Sequence, residues 1–155
     1  MKHLFVARRG KYSIGEGGNI KLDPQGRRQM ERLGAAIANA GECPFYIVSC
    51  TNPETAEGTD ILAGILVPGG DKVLLELYTD PRGIEEEADI LYRFVGQRRG
   101  EAASLVLLSY RRVVERFSAR FLREELGSEG TVPVPKRGQT VHFDLVNRRY
   151  ELIPV

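Results

Sequence analysis

Apolar residues in this chain come in two alternating patterns. Compact runs occupy 3–8, 45–49, 72–77 and 104–109, each bounded by glycine, proline or charge, which is how buried strands read. Between them, apolar residues recur every three to four positions, as on an amphipathic helix. Met30, Leu33, Ala36 and Ile37 mark the first such face, Ile61, Leu62 and Ile65 the second, and Ile90, Leu91, Phe94 and Val95 the third. Val113, Phe117, Phe121 and Leu122 mark the fourth. The run 104–109 is nearly all apolar and predicts a central strand covered on both faces.

Boundary signals agree with this division. Asp23 before Pro24 reads as an N-cap followed by proline in the first turn, and Gly41 ends that helix. Asn52-Pro53 repeats the cap signal, and Glu85-Glu86-Glu87 places acid where a helix dipole favours it. Gly69-Gly70-Asp71 and Asp80-Pro81-Arg82-Gly83 read as loops. The tail then changes period. Val141, Phe143 and Leu145 alternate with His142, Asp144 and Val146, and Asn147-Arg148 turns into a strand at 149–153, a β-hairpin with His142 on its outward face. Strand–helix repeats with short connections predict an α/β fold, a three-layer α/β/α sandwich whose mostly parallel central sheet is closed by an antiparallel C-terminal hairpin. No internal repeat or linker divides residues 1–155, so one domain is expected.

Composition narrows the function classes. With 22 Lys and Arg against 21 Asp and Glu, the formal net charge is +1, and no global field draws the chain to nucleic acid or an anionic membrane. No apolar run approaches the ~20 residues of a membrane span, and the opening residues are too quickly charged for a signal peptide. The default compartment is the cytoplasm. Cys43 and Cys50 bracket the second strand, so its rise puts them roughly 20 Å apart, too far for a disulfide. Two thiols and two histidines make a poor zinc site, and no cofactor motif is present: the glycines at 15, 17 and 18 lack the phosphate-loop spacing.

In such a sheet, ligands bind beyond the carboxyl ends of the strands, and there the sequence resembles a known family. Leu4-Phe5-Val6-Ala7-Arg8-Arg9-Gly10 is similar to the strand-then-Arg-His-Gly signature of the histidine phosphatase (phosphoglycerate mutase-like) superfamily. Leu22-Asp23-Pro24-Gln25-Gly26-Arg27-Arg28-Gln29 resembles that family's Leu-Thr-x-x-Gly-x-x-Gln segment, and Ile47 through Leu62 its strand–Ser-Ser-Pro–Arg-Ala-x-Gln-Thr-Ala–Leu block. Leu105 to Tyr110 stands where the family has strand–Ser/Thr-His, and the closing hairpin, the short insertion after the third strand and the size are most similar to the small bacterial phosphohistidine phosphatases.

The resemblance implies a phosphoryl-accepting histidine at the position of Arg9, a second histidine at Tyr110, a second phosphate-binding arginine at Thr55 and an acid or base near Glu76. An arginine has five donors and no lone pair to offer phosphorus. Of the implied four-residue phosphate pocket, Arg8 alone is in place, so no catalytic residue is expected and the domain reads as a pseudophosphatase. What remains is an anion-friendly mouth of Arg8, Arg9, Gly10, Lys11 and Ser109, with Arg111 or Arg112 nearby. Either a phosphorylated or anionic ligand or a protein partner uses it, or Arg9 is neutralised by Glu16, Glu54 or Glu76. Altered chemistry through Cys50 or Glu76, and a structural subunit, are the alternatives. Against Cys50, cysteine phosphatases carry arginine six residues after the cysteine, and that residue here is Ala56.

Overall fold

The computed structural model describes residues 1–50, 52–67, 73–75 and 84–154, with side chains for all of these except 73–75, 84 and 85. Glu76 and the two loops expected at 69–71 and 80–83 lie outside them.

The predicted strands become β1 (His3–Arg8), β4 (Phe45–Cys50), β5 (Val73–Leu75) and β6 (Ser104–Ser109), and the hairpin becomes β7 (Thr140–Asp144) and β8 (Arg149–Leu152). They form a six-stranded sheet in the order β5-β4-β6-β1-β7-β8. The first four are parallel, and β7 and β8 are antiparallel. β1 is therefore an interior strand, where its apolar run is buried on both faces. Side chains alternate across it: Leu4 and Val6 join a core cluster with Val113, Phe117 and Phe121, while Phe5 and Ala7 join another with Met30, Leu33 and Leu62. These clusters lie under α3 (Ile84–Gln97) with α4 (Arg111–Glu125), and under α1 (Pro24–Ala40) with α2 (Pro53–Leu66). Three layers result, as the patterning predicts.

Helix α1 starts as its cap signal says, with the Asp23 carboxylate accepting the Gly26 N–H at 2.7 Å. Asn52 departs from its prediction. Its side chain makes no cap bond, and its backbone carbonyl accepts the N–H groups of Thr55 and Ala56 instead. Two apolar assignments also move. Ile90 is 39% exposed because α3 buries the stripe Ala88, Leu91 and Val95, and Ile65, equally exposed, caps Gly34 at the rim of the α1–α2 contact.

Two further corrections bear on function. The glycine-rich stretch after β1 is not simply a loop: β2 (Tyr12–Ile14) and β3 (Ile20–Leu22) pair as a small antiparallel hairpin. His142 is buried, not outward, because β7 lies between β1 and β8 and is covered on both faces. It stacks on Phe5 with ring centroids 4.5 Å apart, and its Nε2 lies 3.0 Å from His3 Nδ1. Burial, then the neighbouring His3, pushes the His142 imidazole below its usual pKa. This pair sits at the amino end of β1, away from the site described next.

Candidate functional site

The carboxyl ends of β1, β4 and β6 bring Arg8–Arg9, Cys50 and Ser109–Tyr110 to one edge of the sheet. Arg8 pairs with Ser109 in the β1–β6 register, and the Arg9 N–H donates to the Ser109 carbonyl at 3.0 Å. The adjacent arginines then part.

Arg9 turns inward. Its guanidinium lies 3.2 Å from the Glu54 carboxylate, in a contact where both side chains are mostly buried. Its Cζ sits 4.8 Å from the Tyr12 ring and 5.6 Å from the Tyr110 ring, within cation–π range. Tyr110 in turn donates its hydroxyl to the buried carboxylate of Glu87. Burial first, and then that carboxylate, raises the Tyr110 phenol well above its usual pKa, so it stays protonated. Thr55 is fully buried beside Glu54. Cys50 Sγ lies 3.2 Å from Ser109 Oγ in the buried centre. Burial raises that thiol to a pKa of about 11, although the Ser109 hydrogen bond pulls the other way. A thiol so placed is overwhelmingly protonated at neutral pH and a poor nucleophile.

Arg8 turns toward a different wall. It lines a cavity of about 560 Å³ with Lys11, Gln25, Gln29, Arg32 and the segment Lys136–Gln139. Burial, followed by Arg137, Arg111 and Arg9, lowers the Arg8 pKa: like charges crowd it. Backbone contacts build this cavity. A Cβ on Gly26 would lie 1.9 Å from the Lys11 carbonyl oxygen, and one on Gly10 would lie 2.6 Å from that of Gly26. Gly138 has φ +72° and packs on Gln29, while its N–H reaches the carbonyls of Arg8 and Arg9 at 3.0 and 3.2 Å. The Gly26 and Gln29 positions singled out in the sequence thus have a physical task. One lets the 10–11 turn touch α1, and the other accepts the Lys11 N–H at 2.8 Å.

The residues expected at one anion-binding mouth are therefore divided. Arg8 and Lys11 line the cavity. Arg9 pairs with Glu54, Ser109 faces Cys50, and Gly10 is packed against Gly26. Arg111 pairs with Glu115 at 2.7 Å. Sequence reading missed Tyr12, Glu87, Arg32, Lys136 and Arg137. Only the α1 members carried a signal, since Gln25, Gln29 and Arg32 recur at helical spacing. Among the described residues no group of three His, Cys, Asp or Glu side chains converges to hold a metal ion, and no helix is long and apolar enough to cross a membrane.

With this geometry in view, comparison with solved structures is decisive for the fold. A protein assigned as a phosphohistidine phosphatase SixA from Agrobacterium tumefaciens superposes with a TM-score of 0.69 over 99% of this chain and 96% of its own, at 16% identity. The chain has the histidine phosphatase fold. The mycobacterial glucosyl-3-phosphoglycerate phosphatase Rv2419c in complex with VO3 gives 0.69 over 98% and 97%, at 12% identity. The protein histidine phosphatase SixA complexed with tungstate gives 0.66 over 97% and 93%, at 13%. No family model and no curated protein matches the sequence. Both the phosphoglycerate mutase-like architecture and the small SixA-like size expected from the sequence are thus found.

Proposed function

We infer that the chain is a non-catalytic histidine-phosphatase-fold domain that binds an anionic ligand and does not turn it over. The observation that carries this reading is the Arg9–Glu54 pair. The resemblance puts the phosphoryl-accepting histidine at Arg9, and a guanidinium held against a buried carboxylate neither attacks phosphorus nor welcomes a second anion. Tyr110, at the second histidine, is protonated and committed to Glu87. Cys50 supplies no replacement nucleophile, because its thiol titrates near pH 11. Two proteins of the same fold are described with tungstate and vanadate. That supports an anionic ligand here, and the cations gathered around Arg8 are available to receive one.

The test is phosphate release from p-nitrophenyl phosphate and from a phosphohistidine peptide. Wild type and Arg9→His should both remain at background. Phosphoryl transfer needs several positioned donors at once, and each lost contact costs on the order of a hundred- to thousandfold in rate. Turnover by wild type that survives Arg9→Ala would overturn the reading.

A further inference from the structure

The cavity beside Arg8 has a property that a single-phosphate site does not need. Among the described residues five cationic side chains line it, Arg8, Lys11, Arg32, Lys136 and Arg137, and no carboxylate does. Two acids act on these cations from outside the lining: Asp23 lies 3.8 Å from Lys11, and Glu115, itself paired with Arg111, is the weakest of the influences on Arg8. Asp23 is itself committed to capping α1. The three glutamines sharpen the chemistry. Gln29 Oε1 accepts the Lys11 N–H, Gln139 Oε1 accepts the Lys136 N–H, and Gln25 Oε1 accepts from the Lys11 ammonium. Each partner can only donate, so each glutamine oxygen already accepts one hydrogen bond and no NH2 group is spent on these contacts. The lining side chains thus offer mainly donors and positive charge.

We propose that this cavity binds a compact ligand carrying two or more linked phosphate groups and discriminates against a single phosphate. One phosphate group brings about −1.5 to −2 charges near neutral pH, which leaves most of the five cations uncompensated. A chain of two or three linked groups brings roughly −3 to −5 and mainly acceptor oxygens. The volume of about 560 Å³ lies within the ~300–1,000 Å³ of sites that hold whole small molecules and far exceeds one tetrahedral anion. The cations come from β1, the following turn, α1 and the segment before β7, so a ligand must bridge these elements to use them all. The proposal rests on the non-catalytic reading above and adds the ligand class.

Isothermal titration with inorganic tripolyphosphate, orthophosphate and ATP, in metal-free buffer at two salt concentrations, tests it. Tripolyphosphate should bind at least about tenfold tighter than orthophosphate and weaken as salt rises. The exposed pair K136Q/R137Q should lose about tenfold or more for tripolyphosphate. R93Q/R123Q, which removes the same charge from remote exposed positions, should lose less than about twofold. ATP binding as tightly as tripolyphosphate identifies a nucleoside-borne chain, and weaker ATP binding identifies the bare or small-carrier chain. Both outcomes support the ligand class. Equal affinity for orthophosphate and tripolyphosphate, or equal losses in the two variants, overturns it. Tighter binding of a single-stranded RNA, abolished by K136Q/R137Q, overturns it in favour of a nucleic-acid groove. Release of orthophosphate from bound tripolyphosphate would instead break the non-catalytic reading and leave the ligand class standing.

Discussion

Arg8 and Arg9 are neighbours in the chain and opposites in the fold. Arg9 ends in a largely buried centre, against Glu54 and between two tyrosines, where its charge is spent on the protein itself. Arg8 ends among Arg137, Arg111 and Lys11, where like charge outweighs the one acid, Glu115, that acts on it, and no carboxylate lines the cavity among the described residues. Buried opposite charges cost desolvation and recover it only as a pair, so the centre is coherent only when complete. Exposed like charges repel mildly and are screened, so the cavity persists unpaired at small cost. One region is built for stability of the fold, and the other keeps its charge available.

Removing a partner in the centre should have the largest effect. Arg9→Ala leaves the Glu54 carboxylate buried and unpaired, and breaking such a pair costs about 3–5 kcal/mol. Partial exposure of Arg9 places the expected loss nearer about 2–4 kcal/mol, measured by urea unfolding. Arg9→Ala with Glu54→Ala should recover part of it. A loss under about 0.5 kcal/mol would mean that the centre is not a paired unit.

Gly138→Ala tests the boundary between the two regions. Its Cβ would approach Gln29 Cβ to 2.5 Å, at a φ of +72° that side chains disfavour. A cost of about 1–3 kcal/mol is expected in thermal or chemical unfolding, together with weaker tripolyphosphate binding. Unchanged stability would place the 136–139 segment outside the structural unit.

Thiol chemistry probes the centre without mutation. With a pKa near 11, Cys50 exposes on the order of one thiolate in a few thousand at pH 7.5. Iodoacetamide should label the exposed Cys43 at least about tenfold faster, and unfolding in urea should abolish the difference. The Cys50 rate should rise about tenfold per pH unit and level off only near pH 11, because its pKa is raised. Rapid labelling at neutral pH would reopen Cys50 as a nucleophile.

The smallest effect belongs to the cavity. Lys136→Gln and Arg137→Gln remove exposed, crowded charges, so stability should move by no more than about 0.5 kcal/mol, and upward if repulsion dominates. A large loss from either would mean that these charges, like Arg9, serve the fold.

The layers were legible from local periodicity alone: the burial of β1 and β6, the inward stripe of α4, the capped start of α1 and the switch to a hairpin at 140–152. The sequence by itself also determined that Arg9 is no nucleophile, since that follows from the guanidinium group. Which charges meet was decided by tertiary structure. Glu54 is one of three carboxylates that the sequence offers to Arg9, and Glu87 reads as an ordinary first-turn acid; only the convergence of α2 and α3 on the carboxyl ends of β4 and β6 selects Glu54 for Arg9 and brings Glu87 to Tyr110. Lys136 and Arg137 stand more than a hundred residues from Arg8. The register of β7 on β1 carries them there, with the Arg8 N–H bonded to the Gln139 carbonyl at 2.9 Å. Periodicity reports which face of an element is buried, whereas the meeting of two side chains depends on the pairing of distant strands, which no local pattern encodes.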